Sequence, residues 1–273
     1  MRLLIRLRAR ADGVYDHAYH HKLRGRLWRA LDGTEFDAEH GTGDPTGLVF
    51  SNVFPWGDFE EGDERTVLVA SPREPLLAAI AEGVRADREF NVGEMPFEVT
   101  DLDVVDPDVG EPGTRGTIET GTGVVVRLYG HHREEYGIDA PDAAADVPTY
   151  WRPDHAMAPF VDAVEDNLQR KHERFAPEYV PGPAEVDDPL FDGYELLKTY
   201  SLPVTVTAGE ERTMVLSKWS FDYIVRDDTH RRHLNLALAT GIGGRNGLGF
   251  GFVNVVERTR PGETDLGGEN AFA

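Results

Sequence analysis

Hydrophobic and polar positions alternate at the start of the chain. Leu3, Ile5, Leu7 and Ala9 point one way, and Arg2, Arg6, Arg8 and Arg10 the other, the two-residue period of a strand with one buried face. The period then changes to four. Tyr15, Tyr19, Leu23, Leu27 and Leu31 form one stripe of a helix that ends near Gly33. A loop over 33–47 leads to strands at 48–54 and 65–70, a helix at 76–86 and a strand at 97–105. The order is βαββαβ.

The same order is predicted again downstream. Residues 123–128 read as a strand, and an Ala/Asp/Pro-rich stretch separates them from a helix over 156–175 with Met157, Phe160, Val161, Val164 and Leu168 on one face. A hairpin of 194–207 and 212–225 turns around 208–210. A helix at 229–240, a glycine run and a strand at 250–256 complete the set. The fold class this predicts is α+β, with two tandem ferredoxin-like (βαββαβ, RRM-like) domains. Their expected bounds are 1–108 and 116–257, joined by a segment rich in Asp, Pro and Gly, with a disordered tail over 258–273.

Charge changes this picture more than bulk composition does. Asp and Glu number 49 against 28 Lys and Arg, a formal net of −21, and only Lys22, Lys171, Lys198 and Lys218 are lysines. Such a balance ordinarily repels phosphates. Carboxylates scattered through a well-patterned globular sequence also describe a surface adapted to molar salt, where the Debye length falls to roughly 3 Å and self-repulsion is screened. That second reading is the one expected here, and it removes most of the objection to a nucleic-acid ligand. No run approaches the roughly 20 apolar residues of a membrane span. Arginines every few residues break the N-terminal apolar run, so no signal peptide is expected and the cytoplasm is the expected compartment. There are no cysteines, hence no disulfides and no thiolate metal sites.

The most specific motif is Gly241-Ile242-Gly243-Gly244-Arg245-Asn246-Gly247-Leu248-Gly249-Phe250-Gly251. It is neither a P-loop, lacking Gly-Lys-Ser/Thr, nor a dinucleotide fingerprint, because Asn246 stands at the third glycine position and the run leads from helix to strand. Glycines let backbone N–H groups approach a phosphate or ribose closely. The pattern Gly-apolar-Gly, five residues, Gly-apolar-Gly, placed before the last strand of a second ferredoxin-like unit, resembles the C-terminal glycine-rich loop of the RAMP superfamily of CRISPR proteins. Among these it is most similar to the endoribonucleases that cleave CRISPR repeats. The resemblance implies that Gly241, Gly243, Gly249 and Gly251 lie against RNA, with Arg245 and Asn246 inside the loop and Arg231 and Arg232 upstream as further RNA contacts.

The resemblance also gives meaning to His40, in the small, flexible stretch Asp37-Ala38-Glu39-His40-Gly41-Thr42-Gly43. An imidazole titrating near neutrality suits proton transfer, and members of that family that use histidine carry it after the first helix. The implied reaction is attack of a ribose 2′-OH on the adjacent phosphate, with no metal and no cofactor. The implied partners are precursor and mature CRISPR repeat RNA, and other subunits of an interference complex. Some members pair the histidine with a tyrosine and a lysine. Here Tyr15 and Tyr19 belong to the apolar stripe, and Ser51, Lys198 and Lys218 are the remaining candidates for a partner. Arg24, Arg26, Arg29 and the arginines of the first strand are read either as an RNA track or as ordinary ion-paired surface. His230 and His233, beside Asp227 and Asp228, read as a capped helix end rather than a metal site. His20-His21 and His131-His132 show no ligand spacing. Two other functions stand beside cleavage: a catalytically silent RAMP subunit gripping guide RNA, and a small-molecule nucleotide-binding protein using the glycine loop. A silent subunit has no need of a histidine at position 40, and a small-molecule binder predicts no affinity for repeat RNA.

Overall fold

The computed structural model describes residues 1–39, 46–138, 149–176, 180–207 and 210–260. The first half contains β1 (Arg2–Ala9), α1 (Tyr19–Arg29), β2 (Val49–Phe50), β3 (Glu64–Ala70), α2 (Glu74–Ala86), β4 (Glu89–Val92) and β5 (Met95–Val105). These strands form an antiparallel sheet in the order β2-β3-β1-β5-β4. Leu3, Ile5 and Leu7 alternate into a core that takes Leu23 and Leu27 from α1 and Leu76, Ile80 and Val84 from α2. Burial of this kind yields roughly 1.5–3 kcal/mol per large aliphatic side chain and fixes which face of each helix points inward.

The second half contains β6 (Arg115–Thr120), β7 (Arg127–Leu128), α3 (Gly130–Tyr136), β8 (Thr149–Tyr150), α4 (Ala158–Phe175), β9 (Gly193–Thr207), β10 (Glu210–Ile224), α5 (Asp228–Thr240) and β11 (Val253–Thr259). Its main sheet runs β11-β6-β10-β9, the strand order of β5-β1-β3-β2 in the first half. Two ferredoxin-like units therefore stand in tandem, and Trp219 and Phe221 of β10 pack with Phe160 and Leu168 of α4 in the second core.

Several expectations shift. The first strand of the second unit is Arg115–Thr120, not 123–128, because β6 supplies the ladder to both β10 and β11. Only Ile118 and Thr120 of that strand are buried, so its alternation is too short to stand out. Val124, Val125 and Val126 are buried instead in a connection: Val124 exchanges backbone hydrogen bonds with Ser217, and the Val125 carbonyl accepts from Gly244. The strand expected at 48–54 is a two-residue ladder followed by an irregular segment. β4, short and half polar, was not anticipated. Met157 precedes α4 and is 37% exposed. β11 continues to Thr259, paired with Arg115, so the ordered chain passes the expected tail boundary. Most of that tail, 261–273, lies outside the described residues.

The halves are joined by specific contacts. The buried Arg2 guanidinium on β1 donates to the carbonyls of Leu238 (2.8 Å) and Val253 (2.6 Å) and to the Asn254 side chain, over the Phe252 ring.

Candidate functional site

The glycine run turns back on itself between α5 and β11, and its bracketing glycines are buried. Ile242 N–H donates to the Gly251 carbonyl, Gly251 N–H to Gly123, Gly244 N–H to Val125 and Gly249 N–H to Asn246. The Asn246 amide donates to Ile242 (3.1 Å) and Phe250 (2.9 Å), clipping the two ends of the loop together. A Cβ on Gly251 would sit 1.9 Å from the Ile242 oxygen, and one on Gly249 would sit 2.3 Å from the Phe50 ring. Two of the glycines are thus required by the loop's own folding and by its seat against the first unit. The N–H groups of Ile242, Gly244, Gly249 and Gly251 are engaged within the protein.

Arg245 stands out on the loop's outer side. It is exposed and adopts φ 62°, the left-handed region that an arginine seldom occupies. Arg24 on α1 lies close enough for the two guanidiniums to repel: burial, and then Arg245, lowers the Arg24 pKa. An exposed arginine on the loop and a half-buried one on α1 thus both add positive potential at the seam between the halves, which a bound anion would relieve.

Behind the loop, the buried Lys171 Nζ donates to the Gly241 (2.7 Å) and Gly243 (3.3 Å) carbonyls. Burial holds its pKa down to about 7. Lys171 was not anticipated, although a lysine three residues beyond Leu168 on an apolar stripe was a signal. On the other side of the loop, His20 is buried between Tyr19 and Phe250, its Nδ1 2.9 Å from the Leu248 carbonyl. The carbonyl requires a proton on Nδ1, and burial pushes the imidazole down to about 4, so His20 is neutral. Tyr15 and Tyr19 are core residues.

His40 lies outside the described residues, but both flanks of its segment are held. Arg73, at the start of α2, makes a two-pronged ion pair with Glu39 (2.7 and 2.8 Å) and also donates to the Thr46 carbonyl (3.4 Å). One guanidinium thus grips the chain immediately before and immediately after residues 40–45. Ser51, a possible partner for His40, is buried, donates to the Asn52 carbonyl and accepts from Leu68 N–H. Lys198 and Lys218 stand opposite each other across β9 and β10.

Other sequence candidates are brought elsewhere. Arg231 pairs with Asp108 and Glu111, both at 3.0 Å. With Arg232 it lies in the N-terminal part of α5 (Asp228–Thr240), so a helical rise of roughly 13–15 Å separates the two from the start of the glycine loop at Gly241. On β1 and α1, Arg6 pairs with Asp103, Arg10 with Glu89, and Arg26 is buried against the Asp87 and Glu89 carbonyls. These three are engaged in structural contacts, as is Arg2 against Leu238 and Val253. Asp227 caps α5 by accepting from His230 N–H (2.8 Å), while the His230 and His233 rings face the Leu190 and Pro181 carbonyls. Among the described residues, ligand-like spacing occurs at His131, His132 and Asp166, a group that tertiary contact assembles. His132 Nδ1 accepts the Tyr129 N–H (3.3 Å), which puts its proton on Nε2, the nitrogen 3.6 Å from Asp166. That tautomer suits a hydrogen-bonded helix start rather than a metal ligand.

Comparison with known proteins agrees with the fold. Residues 111–255 match the family model for the C-terminal region of CRISPR associated protein Cas6. The chain is 64% identical, over the whole of both chains, to the CRISPR-associated endoribonuclease Cas6 of Haloferax mediterranei. It is 26% identical over 268 residues to CRISPR-associated endoribonuclease Cas6 2 of Methanocaldococcus jannaschii, covering 94% of this chain and 100% of that one. A solved CRISPR associated protein Cas6 shares the fold at TM-score 0.68 and 16% identity, over 94% of this chain and 99% of the other. The match to a Haloferax protein also agrees with the molar-salt reading of the acidic composition. No described helix is long and apolar enough to cross a membrane. With tandem ferredoxin-like units, a glycine loop seated at their seam and full-length identity to a named relative, the chain belongs to the Cas6 family of CRISPR-associated endoribonucleases.

Proposed function

We propose that the chain cleaves precursor CRISPR RNA within its repeats, in the cytoplasm, by a transesterification that needs no metal. A ribose 2′-OH attacks the adjacent phosphorus, the bond to the 5′ oxygen breaks, and that oxygen takes up a proton. The products are a 2′,3′-cyclic phosphate and a 5′-OH. His40 serves as the proton-transfer group, and Arg245 with Arg24 receives the phosphate backbone. The observation that carries the reading is Arg245, exposed and held in the left-handed region on a glycine loop whose bracketing glycines are buried. The Arg73 grip on Glu39 and Thr46 supports the reading by anchoring the described residues on either side of 40–45. The loop glycines contribute by shaping the turn that presents Arg245. The mature guide RNA and interference subunits that retain it are the partners this reading implies.

The test is incubation with end-labelled repeat RNA in a chelator, followed by mapping of the fragment ends. Cyclic phosphate and 5′-OH termini are expected, with His40→Ala slower by about 10²–10⁴-fold at nearly unchanged affinity. Restoration of a chelator-blocked reaction by magnesium or manganese would exclude the mechanism.

A further inference from the structure

Lys198 on β9 and Lys218 on β10 are direct cross-strand partners. Like charges directly opposite on a sheet repel and destabilise the pair. The placement is all the less expected in a chain with four lysines and 49 acids. Glu119 lies near enough to Lys218 to offset part of that repulsion. The Lys218 Nζ also donates to the Gly121 carbonyl (3.1 Å) and stands 4.9 Å from the centroid of the Trp56 ring.

Trp56 comes from the other half of the molecule, on the irregular segment that follows β2. It is 51% exposed, and its neighbour Phe54 is 59% exposed. The other three tryptophans, Trp28, Trp151 and Trp219, are each at most 5% exposed. An indole whose only task was to brace the two halves would be covered. This one keeps half its surface in water beside the Lys218 ammonium, while the Lys198 ammonium of the cross-strand pair lies over the Tyr200 ring at 5.2 Å. Stacking rings beside cations are the two ingredients of single-strand recognition: the ring takes a base face and the cations take the backbone.

We propose that Trp56, Lys198 and Lys218, with Phe54 alongside, form a subsite for a single-stranded stretch of RNA, one base on the indole and a phosphate between the two lysines. The subsite rests on the RNA-cleaving reading and extends it to a substrate segment gripped by groups other than Arg245. Aromatic stacking tolerates any base, so the subsite supplies affinity with little sequence preference. It would hold RNA in molar salt better than ion pairs alone.

The buried positions of the other tryptophans give a direct readout. Titrating the full chain with catalytically protected repeat RNA, its attacking 2′-OH replaced by hydrogen, should quench tryptophan emission, and Trp56→Phe should remove most of that quenching while keeping a ring for stacking. Trp56→Ala should weaken binding by roughly five- to a hundredfold. Lys198→Gln with Lys218→Gln should lower the slope of log K against log potassium chloride by about 0.7, the value of one phosphate contact on a single strand. Melting curves accompany each variant; if Trp56→Ala unfolds, Trp56→Phe and the double lysine variant still decide. Unchanged quenching in Trp56→Phe, or wild-type affinity and slope in the lysine variant, would overturn the subsite. So would a change of oligomeric state on substitution with RNA binding intact, which would make the patch a protein interface. If the wild-type chain neither binds nor cuts repeat RNA, the RNA-cleaving reading itself fails, an outcome distinct from normal cleavage by insensitive variants.

Discussion

At the scale of single residues, the glycine loop shows a motif serving its own architecture. Gly251 has φ +68° and leaves no space for a Cβ against the Ile242 carbonyl, whereas a Cβ on Gly247 would meet nothing within 4 Å. Gly251→Ala should therefore cost about 2–4 kcal/mol, combining backbone strain with a backbone clash, and Gly247→Ala within about 0.5 kcal/mol. Urea midpoints of the two variants, at unchanged m, are the check. Buried histidines make a second prediction. His20, His132, His230 and His233 all have pKa values lowered, first by burial, His20 to about 4. The unfolded chain binds protons at these sites below its ordinary histidine pKa of about 6.5, while the native state resists them. Their contribution is therefore complete above about pH 6.5 and is lost as pH falls toward 4. His20→Phe should flatten that acid limb in a plot of unfolding free energy against pH. An equally steep limb in the variant would remove His20 from the linkage.

Among the elements, α2 does more than cover the first sheet. Its preceding residue, Arg73, holds the chain on both sides of 40–45, and the Glu39 carboxyl is lowered by its hydrogen bond to Arg73. Shifting a reacting group by about 1 Å can cost on the order of 10²-fold in rate. Arg73→Met should accordingly slow repeat cleavage about tenfold or more while the RNA dissociation constant moves less than about threefold. Single-turnover cleavage and binding, measured separately, would show the split; parallel losses in both would make Arg73 an RNA contact or a fold residue instead.

For the whole molecule, charge and the joining of the halves are the governing terms. A net of −21 on a chain of this size opposes the compact state. Raising salt from 0.1 M to 1 M shortens the Debye length from about 10 Å to about 3 Å, so the melting temperature should climb over that range of potassium chloride. A melting temperature that falls with salt would show that ion pairs such as Arg231–Asp108 outweigh the general repulsion. The seam also explains the loop: Phe50 lies against Gly249, His20 against Leu248, and Arg2 grips β11. Whatever the loop presents is thereby fixed relative to the first unit.

The periodicity of Leu3, Ile5 and Leu7, and of Phe160, Val164 and Leu168, determined the strands, the helices and the tandem order, because alternation and four-residue spacing are local consequences of which face is buried. The glycine motif was legible as a pattern, and its four bracketing glycines, Gly241, Gly243, Gly249 and Gly251, all adopt positive φ. Strand β6 was not, since its neighbours β10 and β11 supply its ladder from far along the chain and only two of its side chains are buried. Nor did local pattern reveal that Lys171 would hold the Gly241 carbonyl, that Arg73 would reach Glu39 and Thr46, or that Trp56 would meet Lys218. Each of these contacts spans tens of residues or more. Side-chain type announces what chemistry a residue can do, but which groups meet is set by the packing of the two cores against each other, and only the tertiary structure decided that.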